Sequence, residues 1–125
     1  MPGDGDPVPA VAVVGGGIAG CAACLSLSRR DVPVVWIVAE RPAEKPGESL
    51  AAAALPLLAD LAADHLVAAP AHRQATVSFT SWGSAALVER HAAAQPGGLG
   101  MVLDRGRFEA DLFELTRGGK IRLVE

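Results

Sequence analysis

Residues 10–40 read AVAVVGGGIAGCAACLSLSRRDVPVVWIVAE. The apolar run Val11 to Val14 enters a glycine turn, Gly15-Gly16-Gly17-Ile18-Ala19-Gly20, which opens a helix-like stretch. A second apolar run, Val34 to Val38, stops at Glu40, 20 residues past Gly20. The glycines fit G-x-G-x-x-G as Gly15, Gly17 and Gly20, in the setting that gives this pattern meaning: strand before, helix after, second strand, acid at its end. Each part has a physical job. Gly15 permits a tight turn out of the strand, Gly17 lets the backbone approach a pyrophosphate, and Gly20 brings helix and sheet close together. The helix start at Ile18 and Ala19 offers unpaired N–H groups and a partial positive charge to phosphates. Glu40 is placed to accept hydrogen bonds from an adenosine ribose. The reading is a dinucleotide-binding βαβ unit, against an accidental one whose glycines serve steric ends alone.

The rest of the chain sets bounds on that reading. At 125 residues, half of them hydrophobic, it is expected to form one domain with its own core. Net charge is −3, which argues against binding a nucleic-acid backbone. The lead-in MPGDGDPVP is acidic and proline-rich, expected to be disordered over residues 1–9 and a poor signal peptide. Three consecutive glycines interrupt the first apolar run, so no membrane span is expected, and the protein reads as soluble and cytoplasmic. Cys21 and Cys24 match C-x-x-C, yet there is no second cysteine pair, and His65, His72 and His91 are scattered. Packing of small residues against a sheet is therefore preferred to a redox pair, and no metal site is expected. The histidines are expected at the surface.

Further along, a first strand over about 10–14, a helix over about 18–29 and a second strand over about 34–38 are predicted. A proline-punctuated loop, 41–48, should lead to Ser49 as N-cap of a helix over about 50–63, kinked at Pro56. Strands are expected over 75–82 and 85–91, then a turn at Gly97, Gly98 and Gly100 into a strand at 101–103. A helix over 108–116 follows from Phe108, Leu112 and Leu115, and a last strand from 120–124. Asp104 is read as a helix cap.

Five motifs in this order carry a resemblance: Gly15-x-Gly17-x-x-Gly20, Glu40-Arg41, Gly47-Glu48-Ser49-Leu50, Ser81-Trp82-Gly83 and Leu103-Asp104-Arg105-x-x-Phe108. With them the chain resembles the N-terminal part of FAD-dependent monooxygenases and tryptophan-halogenase-like flavoproteins, over about residues 10–125. The resemblance implies an α/β fold: a Rossmann-like FAD-binding βαβ unit with a parallel sheet and a small β-rich insertion, truncated before the substrate domain. It implies FAD as cofactor, with Gly15, Gly17, Ile18, Ala19 and Gly20 at the pyrophosphate and Glu40 on the adenosine ribose. Arg41 would lie on the adenine side and the Glu48-Ser49 loop near the flavin. Arg105 would reach the phosphate or ribitol region. Arginine suits that task, having a planar, permanently charged donor fork. A solvated surface role stays open for Arg105 behind the cofactor role, and for Glu48 it stands level with a cofactor contact. Trp82 is read as a core or interface aromatic ahead of one facing flavin or substrate. No catalytic residue is identified. The implied activity is that of a flavin-dependent oxidoreductase, incomplete alone, with a separate polypeptide supplying the substrate domain and NAD(P)H or a flavin reductase supplying electrons. A non-catalytic nucleotide-binding module (ADP, NAD or FAD) and an inert remnant are the alternatives.

Overall fold

A computed structural model describes residues 11–39 and 46–125. The expected lead-in 1–9, the strand start at Ala10, and Glu40 and Arg41 lie outside the described residues. The chain divides into two compact units, one formed by residues 1–45 with 109–125 and the other by 46–108. They are described separately.

The first unit is a parallel sheet with helices. Strand β1 (Val11–Val14) runs into helix α1 (Ile18–Ser28), which returns through β2 (Val34–Ile37). β1 and β2 pair in parallel, Val11 opposite Val34 through Val14 opposite Ile37. The apolar β-branched residues suit a sheet, and the alanines and serines of α1 let the helix lie against both strands. Strand period sends Trp36 and Val34 to the buried side, together with Cys21, Cys24 and Leu25 of α1. Val14 and Ile37 face the other way and are exposed. The unit closes with the later part of a long helix and a last strand at 122–124, which extends the sheet on the far side of β2.

The second unit begins where a loop and a helix cap are predicted and a strand is found. β3 (Glu48–Leu50) pairs antiparallel with residues 101–103, so Ser49 sits opposite Val102 and is no helix cap. Helix α2 (Ala54–Asp60) starts several residues later. Pro56 falls in its first turn, where a missing N–H breaks no intrahelical bond, so the expected kink has no cause. A short 3-10 turn (Asp64–Ala68) and the two-residue strand β4 (Arg73–Gln74) follow. β5 (Val77–Thr80) and β6 (Val88–His91) form an antiparallel hairpin, shorter than the predicted strands and almost wholly exposed. Gly100 (φ +89) turns the chain into β7 (Met101–Leu103), the centre of a sheet ordered β3-β7-β4. A Cβ at Gly100 would lie 2.0 Å from the Leu50 carbonyl oxygen, so no larger residue fits there.

Helix α3 (Arg105–Arg117) starts three residues before the predicted position. Asp104 explains the start: its Oδ1 accepts the Arg107 N–H at 3.0 Å, the N-cap geometry expected of it. β8 (Arg122–Val124) then completes the order β1-β2-β8.

Candidate functional site

The glycine turn is held by an unusual set of contacts. Gly15 has φ +114, and its N–H donates to the Ile37 carbonyl at 2.8 Å. Its own carbonyl accepts the indole Nε1–H of Trp36 at 2.8 Å. Trp36 is fully buried and its ring lies 4.6 Å from that of Phe113.

The glycines of the turn are not equivalent. A Cβ on Gly20 would fall 2.0 Å from the Gly15 carbonyl oxygen, so Gly20 is fixed by the close approach of helix to turn. Gly16, the unassigned position of the motif, would carry a Cβ 2.7 Å from a Val38 methyl, and so has an internal reason to be glycine. Gly17 has none. It is the N-cap of α1, its φ of −81 is open to any residue, and nothing lies within 4 Å of a Cβ built there.

α1 itself has no side-chain cap and no acidic residue in its first turn. Among the described residues, neither the cap position nor the first turn supplies the N–H groups of Ile18, Ala19 and Gly20 with the carboxylate or hydroxyl that commonly serves them. The turn offers backbone donors, a helix dipole and an open cradle. It is chemically suited to an anion such as a pyrophosphate.

Cys21 and Cys24 stand behind this turn as packing residues, both buried and neither in a disulfide. Burial first, and the charge of Cys21 second, pushes the Cys24 thiol up from 9.0 to about 11. At that value it is a poor nucleophile at neutral pH.

In the second unit the structure brings Glu48 and Arg105 together. Arg105 Nη1 lies 3.0 Å from Glu48 Oε2, in a half-exposed ion pair that joins β3 to the start of α3. Two residues read as separate cofactor contacts thus meet each other. Ser49 is exposed on β3 beside them.

His72 departs from the expected surface position and is buried. Its Nδ1 accepts the Asp104 backbone N–H at 3.2 Å, and its ring meets Phe108 edge-on at 6.0 Å. Its Nε2 has no hydrogen-bond partner among the described residues. Trp82 departs in the opposite direction: at 93% exposure it is not a core aromatic.

Among the described residues no cluster of His, Cys, Asp or Glu is suited to hold a metal ion. No described helix is long and apolar enough to cross a membrane.

Nothing in the run Val34 to Val38 attaches Trp36 to the turn. A tryptophan in a run of Val and Ile reads as core, and the one available signal was its N–H, which needs an acceptor when buried.

No protein-family profile matches the chain, and no curated protein matches it. Solved structures do. The FAD-dependent myxobacterial chondrochloren halogenase CndH is similar at 22% identity and TM-score 0.74, over 90% of this chain and 28% of its own. CmlS, a flavin-dependent halogenase, is similar at 25% identity and TM-score 0.74, over 91% of this chain and 22% of its own. The peptidyl tryptophan dihydroxylase QhpG, essential for tryptophylquinone cofactor biogenesis, is similar at 21% identity and TM-score 0.69, over 95% of this chain and 25% of its own. The chain thus spans about a quarter of the length of the structures it matches. Its mixed α/β fold, with the parallel sheet β1-β2-β8 and three helices, is similar to that of part of FAD-dependent halogenases and monooxygenases.

Proposed function

We propose that this chain is the FAD-binding portion of a flavin-dependent oxidoreductase of the monooxygenase or halogenase kind. The observation that carries the reading is Gly17. It is a glycine with ordinary backbone angles and an empty cradle, at an uncapped helix start. Packing among the described residues asks for no glycine there, whereas a pyrophosphate approaching the backbone does.

The residues divide the task. Gly15, Gly17, Ile18, Ala19 and Gly20 present backbone donors to the pyrophosphate, and the α1 dipole favours its charge. Glu40 accepts from the adenosine ribose and Arg41 flanks the adenine side. Glu48, Ser49 and Arg105 serve the flavin side, where the ion pair with Glu48 restrains the guanidinium for a phosphate or ribitol oxygen. FAD, when bound, supplies the redox chemistry that activates oxygen. The reading carries two partners with it: a source of electrons, NAD(P)H or a flavin reductase, and a separate polypeptide bearing the substrate surface. Both belong to a cytoplasmic setting.

Calorimetric titration of the purified chain with FAD and with ADP, read beside its melting temperature, tests this. Ligand at a hundred times its Kd should add about 2.7 kcal/mol of stability. Gly17→Ala should melt within about 1 °C of wild type without ligand, since its Cβ meets nothing. It should nevertheless bind ADP about tenfold more weakly or worse, since the methyl occupies the approach. A chain whose melting temperature responds to neither FAD nor ADP, or a Gly17→Ala chain that binds as wild type does, overturns the reading.

A further inference from the structure

We infer that Trp36 is a positioning residue for the nucleotide turn, acting through its indole N–H on the Gly15–Gly16 peptide; this rests on the nucleotide-binding reading above. Three glycines in succession leave a backbone with unusual freedom, because each populates positive and negative φ with similar ease. The Gly15–Gly16 peptide plane can therefore turn over by compensating rotations at two glycines. Such a turn reverses the direction of its N–H.

In a planar trans peptide the Gly16 N–H points opposite to the Gly15 carbonyl. No cis peptide occurs among the described residues. Whatever holds the carbonyl inward thus directs the Gly16 N–H outward, toward an anion seated on the turn.

Trp36 supplies that hold at 2.8 Å. The carbonyl oxygen is also walled in on the α1 side, since it occupies the space that a Cβ on Gly20 would need. The indole cannot readily swing away, being fully buried with Phe113 against its ring. A buried indole N–H left without an acceptor would be costly, so Trp36 favours the same peptide orientation from its own side. Being fully buried, Trp36 acts through the peptide and not by touching a ligand.

Trp36→Phe removes the donor and keeps an aromatic ring. Val34→Ala, at a buried position of the same strand, serves as a destabilised control that leaves the indole in place. ADP affinity should fall about tenfold in Trp36→Phe, the effect of one lost orienting hydrogen bond. It should stay within about twofold of wild type in Val34→Ala, although both variants melt lower.

A second measurement needs no core substitution. The chain has two tryptophans, so its proton NMR spectrum should carry two indole N–H signals, assigned with Trp82→Phe. ADP should shift the Trp36 signal and slow its exchange while leaving that of exposed Trp82 unmoved.

Equal ADP affinity in wild type and Trp36→Phe overturns the inference, as does an equal loss in Val34→Ala or a Trp36 signal that does not move at saturating ADP. In each case the nucleotide-binding reading stands. A wild-type chain that binds no ADP overturns both.

Discussion

At Cys24 the titration of a single buried thiol couples to the stability of the unit that carries the glycine turn. An unfolded chain releases that proton near pH 9, the ordinary value, whereas the folded chain holds it to about 11. The unfolded state therefore binds fewer protons across this window, and stability, full below about pH 9, declines as pH rises through it. The slope contributed is about 1.4 kcal/mol per pH unit between those limits. Urea unfolding of wild type and Cys24→Ala from pH 7.5 to 10.5 should show a gap that narrows as pH rises, because alanine has no proton to lose. A constant gap would place the alkaline loss elsewhere. The same burial accounts for what the sequence revealed here. Small residues on the sheet side of a helix after a glycine turn have one packing solution, so Cys21 and Cys24 were legible as core. The partners of Trp36 and His72 were not legible. Each makes its hydrogen bond to a backbone group far along the chain, Gly15 in one case and Asp104 in the other, and no local pattern encodes such a partner.

Elements show the same division between local and distant causes. Both α1 and α2 end in the same way, with a non-glycine residue in the left-handed region: Asp31 at φ 56 and Ala62 at φ 55. After α2 the Ala63 N–H donates to the Leu58 carbonyl at 2.8 Å and the Ala62 N–H to the Ala59 carbonyl at 2.9 Å. These are the two bonds of a Schellman cap, whose left-handed position favours glycine. Aspartate tolerates that conformation through its short polar side chain, but alanine carries the strain without compensation. Ala62→Gly should stabilise the chain by about 0.5–1 kcal/mol, seen as a rise in urea midpoint at unchanged slope. No rise would mean that the unfolded-state entropy of glycine cancels the relief. β1, α1, β2, β7 and the cap of α3 were legible because each is announced by its own residues. β3 was not, because Glu48–Leu50 is a strand only by pairing with Met101–Leu103. Its alanine-rich sequel reads as helix from its first residue until that partner is known. Arg105 and Glu48 likewise had to be brought together by the β3–β7 pairing and the start of α3 before their ion pair could be seen.

For the whole molecule, the two units differ in how their strands are protected. In the first, β1-β2-β8 has one face buried by Trp36, Cys21, Cys24 and their neighbours, while the register row Val14–Ile37–Val124 is exposed on the other. Parallel strands are commonly covered on both faces, so one covered face is the least that holds such a sheet together. In the second unit the β5–β6 hairpin has even less. It is a sheet of two strands with Phe79 and Val88 exposed on it and Trp82 and Leu87 exposed in its loop. A two-stranded ribbon without a packed face is marginal in water, since its ladder bonds open to solvent without uncovering a core. Backbone hydrogen exchange should therefore rank the elements: slowest in the middle of α3 around Leu112 and Thr116, both buried, and in β2, and fastest in β5 and β6. ADP should deepen protection around Gly15 to Cys21 and leave Val77 to His91 unchanged, because a ligand stabilises most strongly the openings that destroy its own site. Hairpin amides exchanging as slowly as those of α3 would show that exposed strands are held by more than their own ladder. Protection by ADP that reached the hairpin equally would show that the two units open together.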